Sequence, residues 1–207
     1  MQEQSKKLPE KVCIVINGRG GCGKDTLCDI CAEKYPTVNV SSITPIKEIA
    51  RLGGWNGEKD PKSRKMLADL KQLFRDYNDL GNVYVLKALD SFLASGNAIL
   101  FVHIRESDEI AKFVSAASKK CRTVTLLVDR HTGDYSNDSL GNASDDNVAD
   151  YKYDYVFLND APSIEILSEK FMAFLENEIL IFPGAKSTSG KSRRPRKSRK
   201  DSGNAAD

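Results

Sequence analysis

The stretch Val12-Cys13-Ile14-Val15-Ile16-Asn17-Gly18-Arg19-Gly20-Gly21-Cys22-Gly23-Lys24-Asp25-Thr26 decides the fold. It opens on a short apolar run that stops at a glycine cluster, the pattern of a buried strand. Gly, four residues, then Gly-Lys follow, which is a phosphate-binding loop when it joins a strand to a helix. The residue types answer a physical need. Phosphate oxygens must approach the main chain closely, so side chains are missing at the turns. Successive N–H groups then point inward and the following helix offers its positive end. Lys24 adds a mobile cation. One position departs from the generic pattern: Asp25 follows the lysine, and the hydroxyl comes one place later, at Thr26.

Outward from this junction the chain alternates. Apolar runs predict strands at 12–17, 38–42, 98–104, 123–128 and 155–158. Helical spacing joins Leu27, Ile30, Cys31 and Tyr35 within 23–35, and a second helix is predicted over 45–52. Gly53, Gly54 and Gly57 mark a loop around Trp55. Leu67, Leu70, Phe74 and Tyr77 form a stripe within 61–79, and Val85, Leu89 and Phe92 form another within 82–94. Ile110, Phe113, Val114 and Ala117 predict a further helix, and Ile164, Leu167, Phe171, Leu175 and Ile179 a last one started by Pro162-Ser163. Strands separated by helices imply a parallel sheet covered on both faces, with ligands beyond the carboxyl ends of its strands.

Gly-x4-Gly-Lys-Asp-Thr resembles the loop of viral-type deoxynucleoside monophosphate kinases, and animal-type phosphomevalonate kinases carry a similar Gly-Lys-Asp loop. Ser42-Ile43-Thr44-Pro45-Ile46-Lys47-Glu48 is similar to the Pro-Leu-Lys segment after their second strand. Phe101-Val102-His103-Ile104-Arg105 with Glu109-Ile110 resembles their strand ending in Asp-x-Arg. Asp154-Tyr155-Val156-Phe157-Leu158-Asn159-Asp160 resembles their closing strand. The resemblance spans about residues 12–180. It implies an α/β, three-layer P-loop NTPase fold with a five-stranded parallel sheet, a helical acceptor-binding insert at about 59–95 and a lid at about 130–148. The implied cofactors are ATP and Mg2+, and the implied reaction moves the γ-phosphate to a small phosphorylated acceptor, foremost a nucleoside or deoxynucleoside monophosphate. A phosphomevalonate-type acceptor and a nucleotide-binding regulatory module without turnover remain as alternatives.

In phosphoryl transfer the protein positions two anions and neutralises charge on the equatorial oxygens. Gly18 to Thr26, with Lys24 foremost, are the expected phosphate ligands, and Thr26 the hydroxyl on the magnesium side. Asp25 either holds a magnesium water or orders the acceptor, or simply favours the helix N-terminus. Arg105, at the ligand edge of the sheet, suits an acceptor phosphate because guanidinium forks onto two oxygens. Lys47 and Arg51, one turn apart, share a face with it either as substrate contacts or as solvated surface; Arg64 and Arg75 lie in the presumed acceptor helices, and at least one of the two is expected to be plain solvated surface. Arg130 and His131 stand at the start of the expected lid and reach the nucleotide; Asn159 and Asp160 are placed for the adenine edge. Two features depart from the resemblance. His103 stands where those families carry Asp, as a general base or a hydrogen-bonded strand-end histidine, and 59–82 matches neither family.

The remaining composition sets limits. A 40% hydrophobic and 29% charged chain is ordinary for a globular domain, and no apolar run approaches the ~20 residues that cross a bilayer. With no apolar signal core in 1–10, the cytosol is the expected location. One kinase domain is expected over 1–182. Residues 183–207 hold eight Lys or Arg against two Asp and leave the body at about −4. That tail is too polar to fold alone, and it is the expected source of any weak contact with nucleic acid. A homodimer is left open. The five cysteines form no disulfide framework, and Cys28-x-x-Cys31 reads as packed thiols. Cys22 differs: at a helix N-terminus its thiol is expected to be reactive, so that oxidation or alkylation would block nucleotide binding.

Overall fold

The computed structural model describes residues 8–130 and 147–182. Most of the expected lid, with His131, and the basic tail lie outside the described residues. Five strands form one parallel sheet: β1 (Val12–Asn17), β2 (Thr37–Ser41), β3 (Ile99–His103), β4 (Arg122–Asp129) and β5 (Tyr155–Leu158), in the spatial order β2-β3-β1-β4-β5. Register pairs Val12 with Ile99 on one side and with Arg122 on the other. The central strand is buried along its whole length, which is why it carries an unbroken apolar run and not an alternation.

Helices cover both faces, as parallel connections require. The helices are α1 (Lys24–Lys34), α2 (Thr44–Leu52), α3 (Pro61–Asn78), α4 (Leu80–Ala94), α5 (Ser107–Ala117) and α6 (Ile164–Phe174). On one face Val12, Ile14 and Ile16 pack with Leu27 and Cys31 of α1 and with Leu167 and Phe171 of α6. On the other, Cys13 and Val15 pack with Val85 and Leu89 of α4 and with Ile110 and Phe113 of α5. The alternation along β1 thus assigns its side chains to two cores. This is the three-layer α/β architecture that the sequence implies.

Several helix starts have visible causes. Asp60 caps α3 by accepting from Lys62 N (2.9 Å) and Ser63 N (3.0 Å), with Pro61 at the first helical position. Ser163 caps α6 by accepting from Ile166 N. That last helix does not run to Ile179 as a regular α-helix: Leu175–Ile179 forms a π-helical turn. Asp79, at φ 54, swings the chain directly from α3 into α4.

The stripe expected to seat α3 behaves differently. No residue of α3 is buried, and Tyr77 is 79% exposed. This helix rests on α2 and α4 outside the main cores. No helix among the described residues is long and apolar enough to cross a membrane.

Candidate active site

The phosphate loop sits at the carboxyl end of β1, where absent side chains let it fold tightly. A Cβ on Gly18, at φ 151, would lie 2.4 Å from Val128 O and 2.7 Å from Cys22 Sγ. A Cβ on Gly23, at φ 95, would lie 2.6 Å from Asn159 Nδ2. Among the described residues no side chain caps α1 at Gly23, so its first N–H groups face the loop. Lys24 Nζ arches back over the loop, donating to Gly18 O at 2.7 Å and Arg19 O at 2.9 Å. Arg130, exposed, donates to Gly21 O at 3.4 Å, beside the loop.

Buried polar groups hold this loop from below. Asn17 is 1% exposed. Its Oδ1 accepts from Gly18 N (2.8 Å), and its Nδ2 donates to Arg105 O (3.0 Å) and Tyr153 Oη (2.7 Å). Tyr153 donates in turn to Val148 O at 3.0 Å. Asn159 is buried too, and its Nδ2 donates to Cys22 O at 2.8 Å. The structure therefore places Asn159 under the loop, where its amide braces the backbone; the expected adenine contact is not where it sits. Asp160 is exposed and ion-pairs with Lys170 at 3.0 Å. Cys22 is 4% exposed and packs its sulfur 3.4 Å from Lys24 Nζ, a burial that works against the reactivity expected of this thiol.

Beside the loop opens a cavity of about 1040 Å³. Its lining includes seven Lys or Arg side chains against two carboxylates, Asp25 and Glu106, so it attracts anions. Lys24 enters from the loop, Lys47 from α2, and Arg105 from just beyond β3. Arg64, Lys71 and Arg75 come from a single face of α3. Burial, reinforced by Lys59, Arg51 and Arg105, pushes the Lys47 ammonium below its ordinary pKa. Lys71 pairs with Glu106 and, at 3.0 Å, with Glu109, while Arg75 pairs with Asp108. Arg51 is the expected substrate residue that the cavity leaves out: its guanidinium lies 5.7 Å from the centre of the Trp55 ring.

His103, at the end of β3, lies 3.7 Å from Cys28 Sγ and 4.0 Å from Asp25 Oδ1. Burial pulls its pKa down to about 4; Lys24, Arg105 and Lys47 act in the same direction and Asp25 against it. The imidazole is therefore neutral near pH 7. The unfolded chain binds a proton below its ordinary value of 6.5, which the folded chain takes up only near 4. Stability is undiminished above pH 6.5 and falls as pH drops from there through 4. Urea unfolding is expected to give about 2 kcal/mol less stability at pH 5 than at pH 7 from this residue. His103→Gln should flatten that difference; an unchanged slope would remove His103 as its source.

The structure thus brings together Gly20, Gly21, Lys24, Asp25, Lys47, Arg64 and Arg105 around one opening, with Thr26 half-buried in the first turn of α1. Sequence reasoning missed Asn17, Tyr153, Lys59 and Lys71. Asn17 left a signal, a polar residue closing an apolar strand immediately before the loop; the others left none.

No protein-family model matches the chain, and no curated protein does. Solved structures similar to it include shikimate kinase from Bacteroides thetaiotaomicron (16% identity, 80% of this chain and 98% of that one, TM-score 0.43). A gluconokinase from Sinorhizobium meliloti 1021 is 15% identical over 83% of this chain and 94% of its own, with a TM-score of 0.42. The APS kinase of Mycobacterium tuberculosis in complex with AMPPNP and APS is 14% identical over 81% and 99%, with a TM-score of 0.39. At that distance none of them informs the choice of substrate.

Proposed function

We propose that this chain is an ATP-dependent phosphotransferase that moves a γ-phosphate to a small phosphorylated acceptor, foremost a nucleoside or deoxynucleoside monophosphate. The carrying observation is the cation-lined cavity that opens directly onto the phosphate loop. A loop of this kind holds a triphosphate, and a neighbouring anion-attracting cavity holds a second anion. Its volume, about 1040 Å³, lies at the upper end of ordinary ligand pockets.

The fit to ATP rests on the loop itself. Gly18 and Gly23 leave no room for a Cβ, and the uncapped start of α1 offers N–H groups to phosphate oxygens. For Mg2+, the described residues contain no group of three or more His, Cys, Asp or Glu gathered as ligands. That suits an ion that keeps its waters and arrives on phosphate, with Thr26 as the protein hydroxyl and Asp25 toward a bound water. The ion would neutralise charge on the phosphate oxygens.

The roles of the chain follow from position. Lys24 leaves Gly18 O and Arg19 O to follow the transferring phosphoryl group. Arg105, with its backbone fixed by Asn17, forks onto the acceptor phosphate, and Lys47 and Arg64 add charge around it. Asn159 keeps the loop in shape, and Arg130 stands beside it, at the edge of the expected lid. A neutral His103, 4.0 Å from Asp25, supplies no positive charge to the site.

The test is ADP release measured with a panel of nucleoside monophosphates and with phosphomevalonate. Turnover with one acceptor class supports the reading and names the acceptor. ATP binding without turnover on any acceptor would instead favour a regulatory module. Arg105→Ala is expected to raise the acceptor KM by about 10–100-fold, the worth of a charge-assisted pair, with the KM for ATP nearly unchanged. Equal losses for both substrates would remove Arg105 from the acceptor side.

A further inference from the structure

Helix α3 is inside out. Its cationic face, with Arg64, Lys71 and Arg75, is turned toward the cavity. Its opposite face forms a shallow apolar groove over Met66, Leu70 and Leu73, bordered by Lys62, Lys65 and Asp69. Tyr77 continues the line one turn on; Leu73 is 60% exposed and Tyr77 79%. Met66, Leu70, Leu73 and Tyr77 recur at intervals of four, three and four, which keeps them on one straight stripe. A helix in a globular domain turns such a stripe to the core. Here the core side is claimed by the cavity and the stripe faces outward.

The chain holds little that would cover this stripe from within. The large apolar residues of segments 1–7, 131–146 and 183–207 are Met1, Tyr135 and Leu140, too few and too scattered to match four in a row. A second copy does match, because the stripe is complementary to itself when reversed. Turned antiparallel about a two-fold axis midway between Leu70 and Leu73, Met66 meets Tyr77 and Leu70 meets Leu73. The flanking charges fall into place as well. On the same side Lys62 and Lys65 lie at the amino-terminal end, Lys65 ion-paired with Asp69 at 2.7 Å, and Asp76 lies at the carboxyl-terminal end, accepting from Gln72 at 2.9 Å. The reversal sets the lysines of one copy against the aspartate of the other, and the two helix dipoles oppose.

We infer that α3 is a homodimer interface, packed antiparallel on the same helix of a second copy through Met66, Leu70, Leu73 and Tyr77. One helix pair lies at the low end of stable interface areas, so the dimer should dissociate in the micromolar range. Sedimentation equilibrium of the full chain from about 1 to 100 μM is expected to show a monomer–dimer equilibrium. Leu73→Asp should weaken it at least tenfold while far-ultraviolet circular dichroism, and the melting temperature measured at a concentration where the parent is monomeric, stay as in the parent, since Leu73 is exposed in one copy. Ile164→Asp, at an exposed apolar residue of α6, should leave the equilibrium alone. The charge pattern gives an independent check: Lys65→Asp and Asp76→Lys should each weaken association, and the two combined should restore it. A parent chain that stays monomeric to 100 μM overturns the proposal and leaves the stripe to another kind of partner. A Leu73→Asp chain that remains dimeric, or a double swap without recovery, overturns the antiparallel α3 contact.

Discussion

Lys24→Ala is expected to lower turnover by about 10²–10³-fold while the protein stays folded. The Lys24 ammonium donates to Gly18 O at 2.7 Å and to Arg19 O at 2.9 Å, both neutral carbonyls of the loop it will serve. A phosphate oxygen carries charge and accepts more strongly than a carbonyl, so the lysine exchanges these partners readily. Charge gathering on the phosphate in the transition state is then stabilised by a cation already in place. The cost to folding is small because the lysine side chain is not buried in a core and its carbonyl partners can turn to water. The measurement is steady-state ADP release beside a thermal melt. A melting temperature within a few degrees of the parent with turnover intact would remove Lys24 from the chemistry.

Gly18→Ala should have the largest effect on structure of any single methyl group in the loop. The added Cβ would fall 2.4 Å from Val128 O, a backbone atom of β4, and 2.7 Å from Cys22 Sγ. A central strand paired on both sides cannot yield, so the loop must move, and φ 151 adds backbone strain for any residue with a Cβ. About 3 kcal/mol of stability is expected to go, and ATP affinity with it. Gly21→Ala is the internal comparison. Its Cβ would meet nothing within 4 Å, although φ 76 still disfavours a side chain. Only about 1 kcal/mol should be lost there. Chemical denaturation of the two variants checks the difference; equal destabilisation would mean that contact with Val128 is not what confines the loop.

Local order was readable from residues that are neighbours in sequence. The run Val12 to Asn17, the glycines after it and Lys24 lie within a dozen positions, so strand, turn and cation can be read together. The same holds for Tyr155–Leu158, whose bounds the structure reproduces. What stayed hidden depends on distant partners. Asn17 meets Tyr153 across 136 residues, and no pattern near either one announces it. Asn159 follows the last strand, where ligands gather in such sheets, yet the missing Cβ of Gly23 draws its amide beneath the loop instead. In α3 the helical period was right and the face was not. Leu67 lines the cavity, Leu70 belongs to the outer groove and Tyr77 is in solvent, because the cations of this helix take the inward side. Periodicity marks the helix; which of its residues turn inward is decided by the rest of the fold.

A triphosphate seated by the backbone of Gly18 to Gly23 and by Lys24 is the central claim. Calorimetric titration of the full chain with Mg·ATP tests this most directly. It should show saturable binding at one site per chain, weakened at least tenfold by Gly18→Ala. No detectable binding at millimolar nucleotide, or equal affinity in that variant, would contradict it.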